Sequence, residues 1–190
     1  MLYFLGTLLV VAGAIYLLRQ REIQDSVQTS HSAMTEDHIK QGWRKLGFFC
    51  EVDTTKRTWT LTGSRAGLLY FPDLLLGYVN DPANASDGSK QNYDPYGSLE
   101  IMTYPEAGFD SHAIRGSVAA LSHLAELVGQ KLAVAEAGEQ IKIRDEYAPH
   151  SPFALVLDVR ADGFDPAAAD RERLGATAER KTDKPAQSTG

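Results

Sequence analysis

The chain opens with a hydrophobic run, Leu2 to Leu18, that contains no charged side chain. Its 17 residues match the shortest helix that crosses a hydrocarbon core of about 30 Å. Tyr3 and Tyr16 lie near the two ends of the run, where aromatic rings favour the interface between lipid and water. The pattern predicts a transmembrane anchor over residues 1–18.

A cleaved signal peptide would have basic residues before the hydrophobic run and small residues after it. Here only the terminal amine precedes the run, and Leu17-Leu18-Arg19-Gln20-Arg21 follows it, so the pattern favours an uncleaved anchor. Arg19 and Arg21 place the rest of the chain on the cytoplasmic side by the positive-inside rule, with the opposite side as the alternative. If translation starts at Met34 instead, the protein lacks the anchor.

Three regions of different composition follow the anchor. Residues 19–42 are polar and rich in Ser, Gln and Thr, which indicates a linker. A short helix with Thr35 as its N-cap is expected where the linker ends, and its hydrophobic positions share one face: Ile39, Trp43 and Leu46. Residues 43–162 carry strand and helix patterns and are predicted to be the globular domain. Residues 163–190 are polar and aperiodic, which predicts a disordered tail.

Within the domain, an internal repeat indicates two related halves. Leu61-Thr62-Gly63-Ser64-Arg65-Ala66-Gly67-Leu68 matches Ile114-Arg115-Gly116-Ser117-Val118-Ala119-Ala120-Leu121 at an offset of 53 residues. In each copy a strand leads through Gly-Ser into a helix, because Gly permits a tight exit and Ser caps the first free amides. Pro72 should break the first helix near Tyr70, whereas the second helix has an uninterrupted apolar stripe.

Strand patterns surround both helices. Alternating residues at 48–52 and 58–62 predict a hairpin before the first helix, and Leu99–Tyr104 predicts a strand after it. The second helix is followed by strands at Ile141–Arg144 and Phe153–Leu157. Two strand–helix–strand repeats predict an α+β fold behind the transmembrane helix. We expect a two-layer sandwich, with two helices on one face of a mostly antiparallel sheet and the other face open to a partner.

Charge narrows the range of partners. The full chain has a net charge of −6, and the segment from Glu36 to Asp170 contains 20 acidic and 12 basic residues. This balance argues against nucleic-acid binding, which needs a basic surface, and favours a basic protein partner. Cys50 is the only cysteine, so no intrachain disulfide is possible, and its apolar neighbours predict a buried, unreactive thiol.

The sequence contains no motif for catalysis. The two Gly-Ser turns lack the glycine spacing of dinucleotide and phosphate loops and the G-x-S-x-G of a serine nucleophile. The five histidines have no metal-ligand spacing: His31, His38, His112, His123 and His150. We therefore expect no enzyme activity, metal, cofactor or small-molecule substrate. An undetected hydrolase would need clustered polar residues in a deep pocket.

The segment 81–97 is long for a loop and carries both acids and tyrosines. Ala83 lies where a calcium loop needs an acid, so calcium binding is not predicted. Loops of this length are usually functional or disordered, and Tyr anchors protein interfaces while Asp attracts a basic partner. The predicted contact residues are Asp87, Tyr93, Asp94 and Tyr96. The alternative is a flexible, solvated insertion.

The repeat patterns L-x-G-S-x-x-G-L and I-x-G-S-x-x-x-L-x-x-L-A extend the argument to a known family. With Asp94-Pro95-Tyr96 and the closing strands, they give the segment Trp59–Val159 a pattern that resembles bacterial immunity proteins from polymorphic toxin systems. The pattern is similar to that of the immunity protein 32 family. The anchor and Pro72 depart from it. The resemblance implies a non-enzymatic protein that binds a toxin, and it supplies no catalytic residue.

Together these observations lead to one hypothesis and one alternative. The hypothesis is an immunity protein anchored in the bacterial inner membrane by a single helix, which binds and neutralises a cognate protein toxin. Its domain is expected in the cytoplasm, with the periplasm as the alternative. The other interpretation is a membrane-tethered accessory or assembly subunit of a bacterial envelope complex, which would use the open face of its sheet as a dock.

Overall fold

The computed structural model describes residues 35–170. The predicted anchor from Leu2 to Leu18 and most of the predicted tail lie outside this range. Within it, no helix combines the length and the hydrophobicity that crossing a membrane requires.

The fold is α+β, but it contains two mixed sheets where the sequence predicted one mostly antiparallel sheet. The first sheet has the order β1-β2-β8-β7, and the second has the order β3-β4-β6-β5. In each sheet the two central strands are parallel and the outer pairs are antiparallel. The strand bounds are β1 Phe49–Asp53, β2 Thr58–Ser64, β3 Lys90–Asn92, β4 Glu100–Thr103, β5 Gly108–Phe109, β6 Ala113–Gly116, β7 Gln140–Ile143 and β8 Ala154–Arg160.

The physical reason for this difference lies in how the two halves exchange strands. One half runs β1-β2-helix-β3-β4, and the other runs β5-β6-helix-β7-β8. The first hairpin of each half pairs with the second hairpin of the other half, through the parallel contacts β2–β8 and β4–β6. A repeat in the sequence identifies the two copies, but it does not determine which copy supplies the neighbouring strand.

The helices follow the predicted repeat. Ser64 and Ser117 cap them alike, since their hydroxyl oxygens accept hydrogen bonds from the amides of Gly67 at 3.2 Å and Ala120 at 3.1 Å. The first helix is interrupted at Leu69, because the ring of a proline at 72 opposes the carbonyl four residues earlier. The helices are α1 over residues 35–46, α2 Arg65–Leu68, α3 Tyr70–Asn80, α4 Val118–Val134 and α5 Pro166–Ala169, with a 3-10 turn at Pro82–Asn84.

One hydrophobic core joins both sheets and the helices from Ile39 onward. Alternate residues of β2 point into it, so Trp59 and Leu61 are fully buried, while the threonines that alternate with them are only partly buried. Cys50 is buried, in line with its apolar surroundings in the sequence. Fully buried side chains from the other elements complete the core: Phe71, Leu75, Ile101, Ile114, Leu121, Leu124, Val128, Leu155 and Leu157.

The folded part extends beyond the predicted boundary at residue 162. Asp165 caps α5 by accepting a hydrogen bond from the amide of Ala167, and both Ala167 and Asp170 are buried. The segment 163–170 is polar in composition, but its few apolar and acidic groups have specific partners in the domain.

Candidate protein-docking groove

A groove of about 550 Å³ lies between α1, α3 and the loop that follows β3. We call it the α1–α3 groove. It is lined by Gly42, Lys45 and Leu46 of α1, by Tyr70, Asp73 and Leu74 of α3, and by Tyr93, Asp94 and Pro95 of the loop. Its volume lies within the range of about 300–1,000 Å³ that is typical of binding pockets.

The α3 wall contains the exposed residues Tyr70 and Asp73 and the partly buried Leu74, which packs against the core. Phe71, Leu75 and Tyr78 lie on the buried side of this helix. Tyr70, Asp73 and Leu74 are spaced i, i+3 and i+4, so they share another side of it. Tyr70 is 56% exposed even though it is a large aromatic residue. The groove therefore exposes apolar surface of α3 to solvent, chiefly at Tyr70.

The loop wall packs directly on α1. At Gly42 a Cβ atom would lie 2.6 Å from Cγ of Pro95, so any larger residue would push the loop and the helix apart. Sequence reasoning identified neither Gly42 nor Pro95. A close helix–loop contact of this kind leaves no periodic signal in the sequence.

Asp94 lines the groove and also holds the loop in shape. Its carboxylate accepts hydrogen bonds from Ser98 Oγ at 2.8 Å, from the Tyr96 amide at 3.2 Å and from the Leu99 amide. The side chain is only 7% exposed. Its carboxylate therefore has a structural role in the loop, and its role as a partner contact stays a prediction.

Tyr93 lies in the groove wall as a neutral phenol. Burial raises the pKa of Tyr93 to about 12, with smaller contributions from Tyr78 and Asp81. Its hydroxyl donates a hydrogen bond to Oε1 of Gln91 at 3.0 Å. Tyr93 thus presents a half-buried ring to the groove and keeps its proton at neutral pH.

The other two predicted contacts lie elsewhere. The Tyr96 hydroxyl donates to Oδ2 of Asp170 at 2.8 Å, and its ring packs edge-on against Trp43 with the centroids 6.0 Å apart. Asp87 is exposed in the turn before β3 and does not line the groove. The structure therefore brings Tyr93 and Asp94 to the groove, whereas Tyr96, which is 39% exposed, and Asp87 are not among its lining residues.

Two charges of opposite sign line the groove without partners. Neither Lys45 nor Asp73 forms a salt bridge or side-chain hydrogen bond within residues 35–170. Sequence reasoning missed both residues, together with Tyr70. The available signal was that α3 is hydrophobic on nearly all sides, with Asp73 as its only charge, whereas a surface helix normally has a polar face.

In the part of the chain that is described, no group of three or more His, Cys, Asp or Glu side chains is arranged to hold a metal ion. The lining of the groove combines two tyrosines, two leucines and a proline with the charged residues Lys45, Asp73 and Asp94.

Comparison of the chain with protein-family models, with curated protein sequences and with solved structures found no significant match.

Proposed function

We propose that this protein is a membrane-anchored immunity protein that binds and neutralises a cognate bacterial toxin. The observation that carries the proposal is the α1–α3 groove, in which exposed Tyr70 and half-buried Tyr93 flank apolar residues beside the unpaired charges of Lys45 and Asp73. Tyrosine is enriched among the residues that dominate binding energy in protein interfaces.

Two further apolar residues beside the groove residues are exposed. Leu69, which precedes α3, and Leu76, within it, are each 39% exposed. Clusters of exposed apolar side chains on a small domain are characteristic of interaction sites. The excess of acidic residues favours a basic partner, and many such charges increase the rate of association.

A rigid groove supports inhibition by occlusion. Asp94 fixes the loop through three hydrogen bonds, and Pro95 packs against α1 at Gly42. A preformed surface loses little conformational freedom on binding, which favours high affinity. Tight binding is what a neutralising protein needs, since it must outlast the toxin's encounters with its target.

The test combines toxicity with binding. Genes adjacent to the gene for this protein are expressed one at a time in cells that lack it, and one is expected to kill unless the full-length chain is co-expressed. Tyr70→Ala should weaken binding of that toxin by about 30-fold or more, the range for an interface hot spot. Thr60→Ala, on the outer face of the first sheet, is the matched control and should leave binding unchanged.

Two outcomes would redirect the proposal. If no neighbouring product is toxic but the full-length chain co-purifies stoichiometrically with an envelope complex, the alternative role as an accessory subunit is favoured. If a toxin is neutralised equally well by Tyr70→Ala and by the control, the groove is not its binding surface.

The membrane anchor has its own test. A reporter fused after Gly190 is expected to read a cytoplasmic location, following the charges at Arg19 and Arg21. A periplasmic signal would reverse the orientation and would imply a toxin that acts in the periplasm. A reporter in the soluble fraction would refute the anchor.

A further inference from the structure

Gly77 is a glycine that the fold does not require. It lies in the middle of α3, where glycine costs about 1 kcal/mol relative to alanine, and it is exposed. A Cβ atom at this position would meet no atom of residues 35–170 within 4 Å. At Gly67, by contrast, a Cβ atom would lie 2.1 Å from the carbonyl oxygen of Gly47. No contact inside the domain therefore explains the glycine at 77.

Gly77 lies on the same stripe of α3 as the groove residues. Tyr70, Asp73, Leu74 and Gly77 are spaced i, i+3, i+4 and i+7, so they align along one side of the helix. The first three line the groove, and Gly77 lies about one turn beyond them on the same side of the helix. We call this stripe the α3 track. Because glycine has no side chain, another backbone can approach the α3 track most closely at Gly77.

We propose that this track and the α1–α3 groove receive a basic amphipathic α-helix of the partner protein, which crosses α3 at Gly77. This inference rests on the proposed function for the identity of the partner. It specifies the element that the partner inserts, with apolar side chains in the groove and a Lys or Arg opposite Asp73.

The backbone chemistry of the groove favours a helix over an extended peptide. Its walls are two helices, whose amides and carbonyls are already bonded internally, and a loop whose free amides are taken by Asp94. An extended segment needs a free strand edge to satisfy its own backbone groups. A helix satisfies those groups itself and presents anchors at i, i+3, i+4 and i+7.

The charges on the domain favour a positively charged partner helix. Asp73 is the only charge on α3 and has no ion partner within the described range. The segment 36–170 has 20 acidic and 12 basic residues, which repels a second copy of the same domain and attracts a basic partner. Lys45, on the opposite wall, can pair with one acidic residue of the incoming helix.

The test uses a synthetic probe and therefore does not depend on finding the toxin. The probe is a fluorescein-labelled, alanine-based peptide of roughly 18 residues, long enough to be helical in isolation. It carries leucines at i, i+3 and i+7, flanked by lysines. Full-length protein in zwitterionic phosphatidylcholine nanodiscs is titrated into it, with empty nanodiscs subtracted. A scrambled peptide of the same composition controls for nonspecific attraction.

The expected result is saturable binding of the probe at least tenfold tighter than of the scrambled peptide. Gly77→Trp should weaken probe binding by at least tenfold. Gly77→Ala should weaken it less while raising the melting temperature. Gly129→Ala, in α4, removes another glycine whose Cβ position is open and should leave binding unchanged. Asp73→Lys should weaken binding, and a probe with the facing lysine changed to glutamate should restore it.

Three results would overturn the inference. Equal binding of the probe and the scrambled peptide would remove the requirement for an amphipathic helix, and equal affinity of Gly77→Trp and wild type would remove Gly77 from the interface. Crosslinking between full-length chains that Gly77→Trp abolishes would make a second copy the occupant. If the probe binds as expected but no adjacent gene encodes a toxin, the helix site stands and the immunity function fails.

Discussion

The indole nitrogen of Trp43 donates a buried hydrogen bond of 2.8 Å to Oδ2 of Asp170, which lies 127 residues further along the chain. The same oxygen accepts a hydrogen bond from the hydroxyl of Tyr96, whereas Oδ1 has no hydrogen-bond partner among the described residues. Asp170 is only 1% exposed. This carboxylate therefore joins α1, the loop that follows β3 and the end of the described chain.

Replacing Asp170 should separate the effect of the hydrogen bonds from that of the charge. Asp170→Ala leaves the Trp43 and Tyr96 donors without an acceptor and should lower the free energy of unfolding by about 2–4 kcal/mol. Asp170→Asn keeps one acceptor oxygen and should change stability by less than about 1 kcal/mol. Urea unfolding measures both, and equal losses would show that the charge itself is required.

Substitutions of Asp94 and Asp87 should differ in their effect on stability, although both residues were predicted contacts. Asp94→Ala removes the acceptor for Ser98 and two amides and should cost about 2–4 kcal/mol of stability. Asp87→Ala, at an exposed turn position, should stay within about 0.5 kcal/mol. Thermal unfolding distinguishes them, and a neutral effect at Asp94 would refute its structural role.

Gly67 marks a difference between the two repeats, because the equivalent residue in the second copy is Ala120. Gly67→Ala places a Cβ atom 2.1 Å from the Gly47 carbonyl oxygen, a clash that requires the backbone to move. The free energy of unfolding should fall by more than about 3 kcal/mol, in the range of severe core defects. Gly129→Ala is the control and should be neutral or stabilising, as measured by denaturant titration.

The exchange of strands predicts that neither half folds alone. Cutting the chain at Glu106, between β4 and β5, gives two fragments that each contain half of both sheets. Each fragment by itself should lack protected amides, because its central strands lose their parallel partners. Mixing or co-expressing the fragments should restore the native hydrogen-exchange pattern. A single fragment with native protection would contradict the exchanged topology.

Tyr93 predicts a loss of stability at alkaline pH. Because burial raises its pKa to about 12, the folded state favours the neutral phenol. The stabilising contribution is fully present below the unfolded pKa of about 10 and is lost as the pH rises towards 12. Tyr93→Phe should therefore reduce the fall in urea midpoint between about pH 9 and pH 11. If the urea midpoint falls equally with pH in Tyr93→Phe and wild type, the pKa of Tyr93 is not raised in the folded state.

Much of the local structure followed from the sequence. The Gly-Ser turns predicted both capped helix starts, and Pro72 predicted the break near Tyr70, because capping and ring sterics act within a few residues. The alternation around Trp59 and Leu61 predicted a strand with one buried face. The groove was located only in part, through Tyr93 and Asp94.

From the sequence alone followed the longer strands and helices, the repeat and the acidic charge, but not the short elements β3, β5 and α5. Tertiary structure alone decided which strands pair across the halves, since parallel pairing depends on contacts between residues about 100 positions apart, such as Thr60 with Val156. It also decided that Asp94 stabilises the loop, and that Lys45, Tyr70 and Asp73 share one groove. Sequence patterns reflect interactions within a single helix or strand, whereas the groove forms from contacts between several of them.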